Sequence, residues 1–471
     1  MSVTKLIFYI YLLIAILACR PHVVINPVGE DLGSDSSQAE ISATVGMTPT
    51  TSATAEVSRT ATPAATATAT ASASASPFPT ATVSSATNYV NTTTFLTTTT
   101  AAKMQNPNTE EYQSFGSVVA IDRDFAVVGA SMDSSVDLYA GAVVIYRKVN
   151  SSWSFFQKIA PPDPVTAHFF GCSVAISGEF IVAGACGDVE KGSSAGAVYI
   201  YKFNGSEWRF YAKLVPNDLQ ELDSFGYAVA IFENKIAIGA RGYRSSMGAV
   251  YVYKIDGTAI LEQTKIIPAG REKDYFGGAV SLSSSFLAVG AIGDDTNGTN
   301  SGAVYIYNAA DWSLKKKLAP STTSDGYIFG QALSLSGEQL IIGVPGDDTK
   351  AIMGGSVYLY RYLNSEWALS YKVVPSDNGI YDLFGQSLAL SGDYLAVGAP
   401  GDSDRASRGG SAYVFKLESG IGTQLRKIYS PSPESYGNFG VSVGLSPYQM
   451  IVGAGNENVD GGEDVGVAYI Y

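Results

Sequence analysis

The chain has 471 residues, with 43 Asp and Glu against 30 Lys and Arg, for a formal net charge of −13. That excess of acid excludes a protein built to grip a phosphate backbone, which needs clustered Lys and Arg. With only His22 and His168 in the chain, neither a multi-histidine zinc site nor a Ser-His-Asp triad is expected.

Lys5 precedes an apolar run from Leu6 to Ala18, too short to span a bilayer comfortably, so residues 1–19 are predicted to be an export signal. The run ends in Ile16-Leu17-Ala18-Cys19, which resembles the lipobox of bacterial lipoproteins. Cys19 would then carry lipid and anchor the protein to an envelope; an ordinary cleaved signal or a eukaryotic signal anchor are the alternatives. Residues 20–92 are rich in Ser, Thr, Ala and Pro, with stretches such as "ATATATASASASPFPT" that offer little to bury. They are predicted to be a disordered stalk. As a flexible coil, about 70 residues would reach on the order of 45 Å, enough to hold a folded head clear of a surface.

From residue 93 onward the chain repeats itself. Phe-Gly recurs at Phe115, Phe170, Phe225, Phe276, Phe329, Phe384 and Phe439, a nearly constant spacing. In the copy at Phe384, strand A is "FGQSLALS", strand B "YLAVGAP", strand C "SAYVFKL", and strand D ends near "LRKIYSP". Alternating apolar and polar residues between Gly, Asn and Ser turns predict antiparallel hairpins. Four strands per copy, seven times over, predict an all-β fold, a seven-bladed β-propeller over 93–471, in preference to a β-solenoid.

The seventh copy reaches strand C and stops at Tyr471. Strand D of the other copies carries a lysine at a fixed distance before the next Phe-Gly: Lys158, Lys213, Lys317, Lys372 and Lys427 share one spacing, and Lys265 stands a single position closer. Lys103 keeps that same spacing ahead of Phe115. The match predicts that residues near Phe95 to Gln105 supply the missing outer strand and close the ring. Cys172 and Cys186 fall on neighbouring strands of one hairpin, where an exported chain would permit a disulfide; two thiols are the other expectation.

Phe384-Gly385 followed by Gly398-Ala399-Pro400, with six looser copies such as Gly129-Ala130-Ser131 and Gly343-Val344-Pro345, resembles the FG-GAP repeat of integrin α-subunit propellers. The resemblance implies a propeller and a ligand-binding face. Integrin-type calcium loops between strands A and B do not carry over, because turns such as "AISGEF" and "ALSGDY" cannot supply the oxygens calcium needs. No cofactor and no metal are expected, weak divalent cation binding between "GDD" loops being left open.

In an up-and-down blade the A-to-B and C-to-D turns share one face, and the B-to-C and D-to-A loops share the other. The second set is longer and acidic, with Asp218, Glu221, Asp223, Asp377 and Asp382 in D-to-A loops. Asp294, Asp295, Asp347, Asp348, Asp402 and Asp404 in the B-to-C loops are the candidate ligand-binding residues. An Asx-turn role competes with that reading at each one. Tyrosines at period two in strand C, such as Tyr199 and Tyr201, and Trp153, Trp208, Trp312 and Trp367 at the start of strand D, are expected to be packing residues. With no catalytic constellation, the chain reads as a non-enzymatic, surface-displayed adhesion module for an extracellular protein or glycan. A carboxylate-dependent polysaccharide hydrolase and a structural envelope component are the alternatives.

Overall fold

The computed structural model describes residues 96, 100–108, 111–320, 325–418, 420–459 and 462–471. The export signal, Cys19 and the stalk lie outside the described residues. The rest forms seven four-stranded antiparallel sheets. Six of them take their strands consecutively from the sequence, and the seventh combines Phe439–Leu445, Met450–Ala454 and Val467–Ile470 with Ala102–Met104. Ala102, Lys103 and Met104 pair with Ile470, Tyr469 and Ala468, so the ring closes as the lysine spacing predicts. The closing strand is three residues long, shorter than the segment the sequence suggests, although Leu96 and Ala101 pack on the same core.

Each second strand is buried on both sides, as in Phe180–Ala185, "FIVAGA", because a blade's middle strands lie between two neighbouring blades. Strand C tyrosines fill those gaps: Tyr413 meets Phe384 edge-on at 5.1 Å, and Tyr199 meets Phe170 at 5.4 Å. Trp208 and Trp367 are buried in the same clusters. Each fully buried aromatic contributes roughly 2–3 kcal/mol by area.

The repeated glycines are explained at the seams. The Phe-Gly dipeptide is not ordinary ladder but a bulge: pairing jumps from Phe225/Ala240 to Ala228/Gly239, with Gly226 at φ +88°. The glycine of each Gly-Ala-Pro copy then faces the Phe-Gly carbonyl of the next blade. A Cβ on Gly398 would lie 1.9 Å from the Gly440 oxygen, and one on Gly453 would lie 1.8 Å from the Gly116 oxygen. The second contact is the closing seam, identical in kind to the others. Ser442 donates to the Gly116 oxygen at 2.7 Å there, as Ser387 does to Gly440 at 2.8 Å.

Six outer strands carry a bulge just before the lysine, for example between Val414 and Phe415 of the facing strand. Such a kink blunts an exposed edge against pairing with another chain.

Cys172 and Cys186 are not bonded to each other in this structure. Cys172 sits in the bulge between Phe170 and Ser173, so it does not oppose Cys186 directly; its sulfur accepts the Cys186 N–H at 3.2 Å.

Candidate functional site: the loop face

The A-to-B turns are tight, with Ser391 pairing Tyr394 across Gly392-Asp393 and Ser177 pairing Phe180. The opposite face is built from paired loops. The B-to-C loop of one blade is hydrogen-bonded to the D-to-A loop entering the next: Leu222 N–H to Ser193 O at 2.8 Å, Tyr381 N–H to Ile352 O at 2.8 Å, and across the closure Tyr112 N–H to Glu463 O at 3.0 Å.

Beneath this surface, strand D lysines meet aspartates of the B-to-C loops. Lys427 Nζ lies 2.7 Å from Asp402, 2.7 Å from Asp404 and 2.8 Å from Asp377, and 5.0 Å from the centre of the Tyr413 ring. Lys372 reaches Asp347 at 2.7 Å, Lys317 reaches Asp294 at 2.6 Å, Lys158 reaches Asp133 at 2.6 Å, and Lys213 reaches Asp188 at 2.8 Å. In Asp294, Asp347 and Asp402 the other oxygen accepts a loop N–H from Thr296, Thr349 and Asp404, at 2.9, 2.8 and 2.9 Å. The fixed lysine spacing is therefore the visible half of an ion pair whose other half stands among the candidate ligand residues.

The electrostatics follow. Burial pushes the Asp347 carboxyl up, but Lys372, Ser356 and Thr349 outweigh it and hold the group below the ordinary carboxylate range. Asp294 is lowered in the same way by Lys317 and Thr296. Lys427 is pulled down by burial, yet its carboxylates hold it well above the usual lysine range. Asp382 goes the other way: burial and the charges of Asp402 and Asp404 raise it to about 6, against a hydrogen bond from Gly379 N–H.

Asp294, Asp347 and Asp402 are thus buried in ion pairs, while Asp223 and Asp382 are buried against main-chain N–H groups of their own loops. Asp295, Asp348 and Asp404 are exposed. Asp295 accepts from Asn300 N–H at 2.8 Å, Asp348 from Met353 N–H at 2.6 Å, and Asp404 from Lys427. The face is consequently less negative than a count of its acids suggests. Glu457 replaces the aspartate in the closing blade and is held by Ser430 and Tyr469, while Lys103 is exposed. His168 is buried with its Nε2 2.7 Å from Asp188. Among the described residues no group of three or more His, Cys, Asp or Glu side chains is placed to hold a metal ion.

The feature of this face that the sequence pattern conceals is apolar. Among the described residues, 21 large hydrophobic side chains are exposed. Ten of them lie in the B-to-C and D-to-A loops and four at the turns of the opposite face, the rest on outer strands. Ile352, Ile380 and Tyr381 are 56%, 61% and 45% exposed and sit together across one loop pair, beside Asp348. Single apolar residues in polar loops carry no periodic signal, so only the fold brings them side by side.

Seven sheets closed on one axis define a β-propeller, and its glycine seams define which kind. A family model described as FG-GAP repeat matches residues 98–146, 153–201, 208–253, 261–307, 312–360 and 367–415. The chain belongs to the FG-GAP repeat family. Each match runs from an outer strand into the first three strands of the next blade, the same phase that closes the ring. No curated protein matches the chain significantly. Among solved structures the chain is similar to Sqt1 of Saccharomyces cerevisiae, at 9% identity and a TM-score of 0.44, over 78% of this chain and 97% of that one. That likeness is too loose to bear on function.

Proposed function

We propose that this propeller is a surface-displayed binding and adhesion module, without catalytic activity, that takes a protein or glycan ligand on its B-to-C and D-to-A loop face. The carrying observation is the concentration of exposed Ile, Leu, Val and Tyr side chains on that face, on loops tied pairwise by main-chain hydrogen bonds. Apolar side chains held on rigid loops and rimmed by polar ones are what an interaction surface needs. Asp295, Asp348 and Asp404 supply the polar rim in this reading; Asp294, Asp347 and Asp402 shape the loops from below. Surface display rests on the signal-like run before Cys19 and the Ser/Thr-rich segment that follows it.

The test is binding of the labelled protein to whole cells, extracellular matrix and glycan arrays. Ile352→Asp with Ile380→Asp is expected to remove binding at an unchanged melting temperature, whereas Glu338→Ala in an opposite-face turn leaves it intact. Unaltered binding by the double variant removes this face from the account.

A further inference from the structure

One sector of the loop face departs from the rest. Six of the loops between strands B and C are alike in length, as in 131–141 and 455–466, but the loop of blade three, residues 241–248, is shorter. Its sequence "RGYR" also lacks the Gly-Asp pair. Tyr243 stands in the aspartate's place with Lys265 Nζ 3.5 Å above its ring, and Lys265 turns to Asp218 for its ion pair. Arg244, Ser245 and Ser246 all have left-handed backbone, φ +49°, +57° and +65°, where each of the other loops has a single such non-glycine residue, just ahead of its last glycine. Runs of strained residues of this kind persist where the position of a side chain matters.

The charge is inverted as well. Arg244 is exposed, and the adjoining D-to-A loop brings Arg271 and Lys273, also exposed, alongside it; Lys273 N–H donates to Ser245 O at 3.2 Å and Tyr275 N–H to Ser246 O at 2.8 Å. None of the three cations makes an ion pair among the described residues, although Glu272 lies between two of them. In a chain of net charge −13, five strand D lysines are taken up by buried aspartates and Lys265 by Asp218, whereas these three face solvent.

Resting on the reading of this face as the binding surface, we propose that the blade-three sector, Arg244, Arg271 and Lys273, is the docking point for an anionic polysaccharide, a glycan chain bearing carboxylate or sulfate groups. A broad acidic protein would set its charge against Glu190 and Asp295, exposed in the two neighbouring sectors. A slender polyanion crosses the basic sector alone. The loop main chain is already hydrogen-bonded between loops, so it offers no strand edge to a peptide, and recognition falls to guanidinium and ammonium groups that match carboxylate and sulfate oxygens.

The experiment measures binding of the full chain to polygalacturonate, a sulfated polysaccharide, neutral dextran and poly-L-glutamate. Binding to one or both acidic polysaccharides is expected, with none to dextran. Three released counterions at a single-strand slope weaken it roughly 20-fold between 50 and 200 mM salt. Arg244→Glu, Arg271→Glu and Lys273→Glu together are expected to reduce it at least tenfold, while Lys350→Glu with Arg408→Glu, elsewhere on the face, changes it little. Equal binding by the triple variant at an unaltered melting temperature overturns the proposal, as does absence of binding to every polyanion. Tighter binding to poly-L-glutamate than to either polysaccharide overturns it in favour of an acidic peptide. If cell binding is lost in the Ile352/Ile380 variant but untouched in the triple variant, the loop face survives as the binding surface and this sector does not.

Discussion

Replacing Lys427 by Met removes one ammonium group from a cluster of three carboxylates. Asp377 and Asp404 are 38% and 51% exposed, so each pair with Lys427 contributes no more than about 1 kcal/mol. Asp402 is 2% exposed, and leaving a buried carboxylate without its partner costs about 3–5 kcal/mol. Over a ring of roughly 370 residues that loss lowers the melting temperature by roughly 4–6 °C. Asp402→Asn added to Lys427→Met removes the stranded charge and should recover part of the loss. Urea unfolding of the four members of this cycle gives the comparison. A loss under about 1 kcal/mol, the ceiling for an exposed pair, or no recovery in the double variant, refutes the assignment of Lys427 as the counter-charge of a buried aspartate.

Asp382 titrates near 6 in the fold against an ordinary 3.8, so the native state resists its ionisation and loses stability as pH rises through 6; Asp382→Asn is expected to stabilise by up to about 3 kcal/mol at pH 7.5 and by nothing at pH 3, by thermal unfolding. Gly398→Ala drives a methyl into the Gly440 carbonyl and is expected to cost about 3 kcal/mol or more, whereas Gly178→Ala, with nothing within 4 Å but φ +58°, should cost only about 1–2 kcal/mol for its left-handed backbone. Cys172 and Cys186 are expected to be alkylated together in urea without reductant, and reductant to leave the melting temperature unchanged, as peptide mapping and calorimetry would show.

Much of the fold was legible because each repeat unit must satisfy the same two neighbours. Phe-Gly and Gly-Ala-Pro recur since every seam needs a buried ring and two glycines in backbone contact, and the lysine recurs since nearly every Gly-Asp loop buries a carboxylate. The same spacing exposed the closing strand, as Lys103 keeps its distance from Phe115. The bulge at Phe-Gly was hidden because it sits at the very start of the strand, with only the Phe ahead of it, too little sequence for a shift in the alternation to show. The candidate site was half legible: Gly-Asp marked the right loops, but sequence distance cannot tell a buried aspartate such as Asp347 from its exposed neighbour Asp348. Ile352, Ile380 and Tyr381 come together only through pairing between loops of successive blades.

The faces of this molecule are defined only if the ring is closed by Ala102–Met104, and deleting residues 1–105 tests that directly. A markedly lower melting temperature, restored by adding a peptide of residues 98–108 in excess, is the result the closed ring requires; a truncated protein as stable as the full chain and indifferent to the peptide would contradict it.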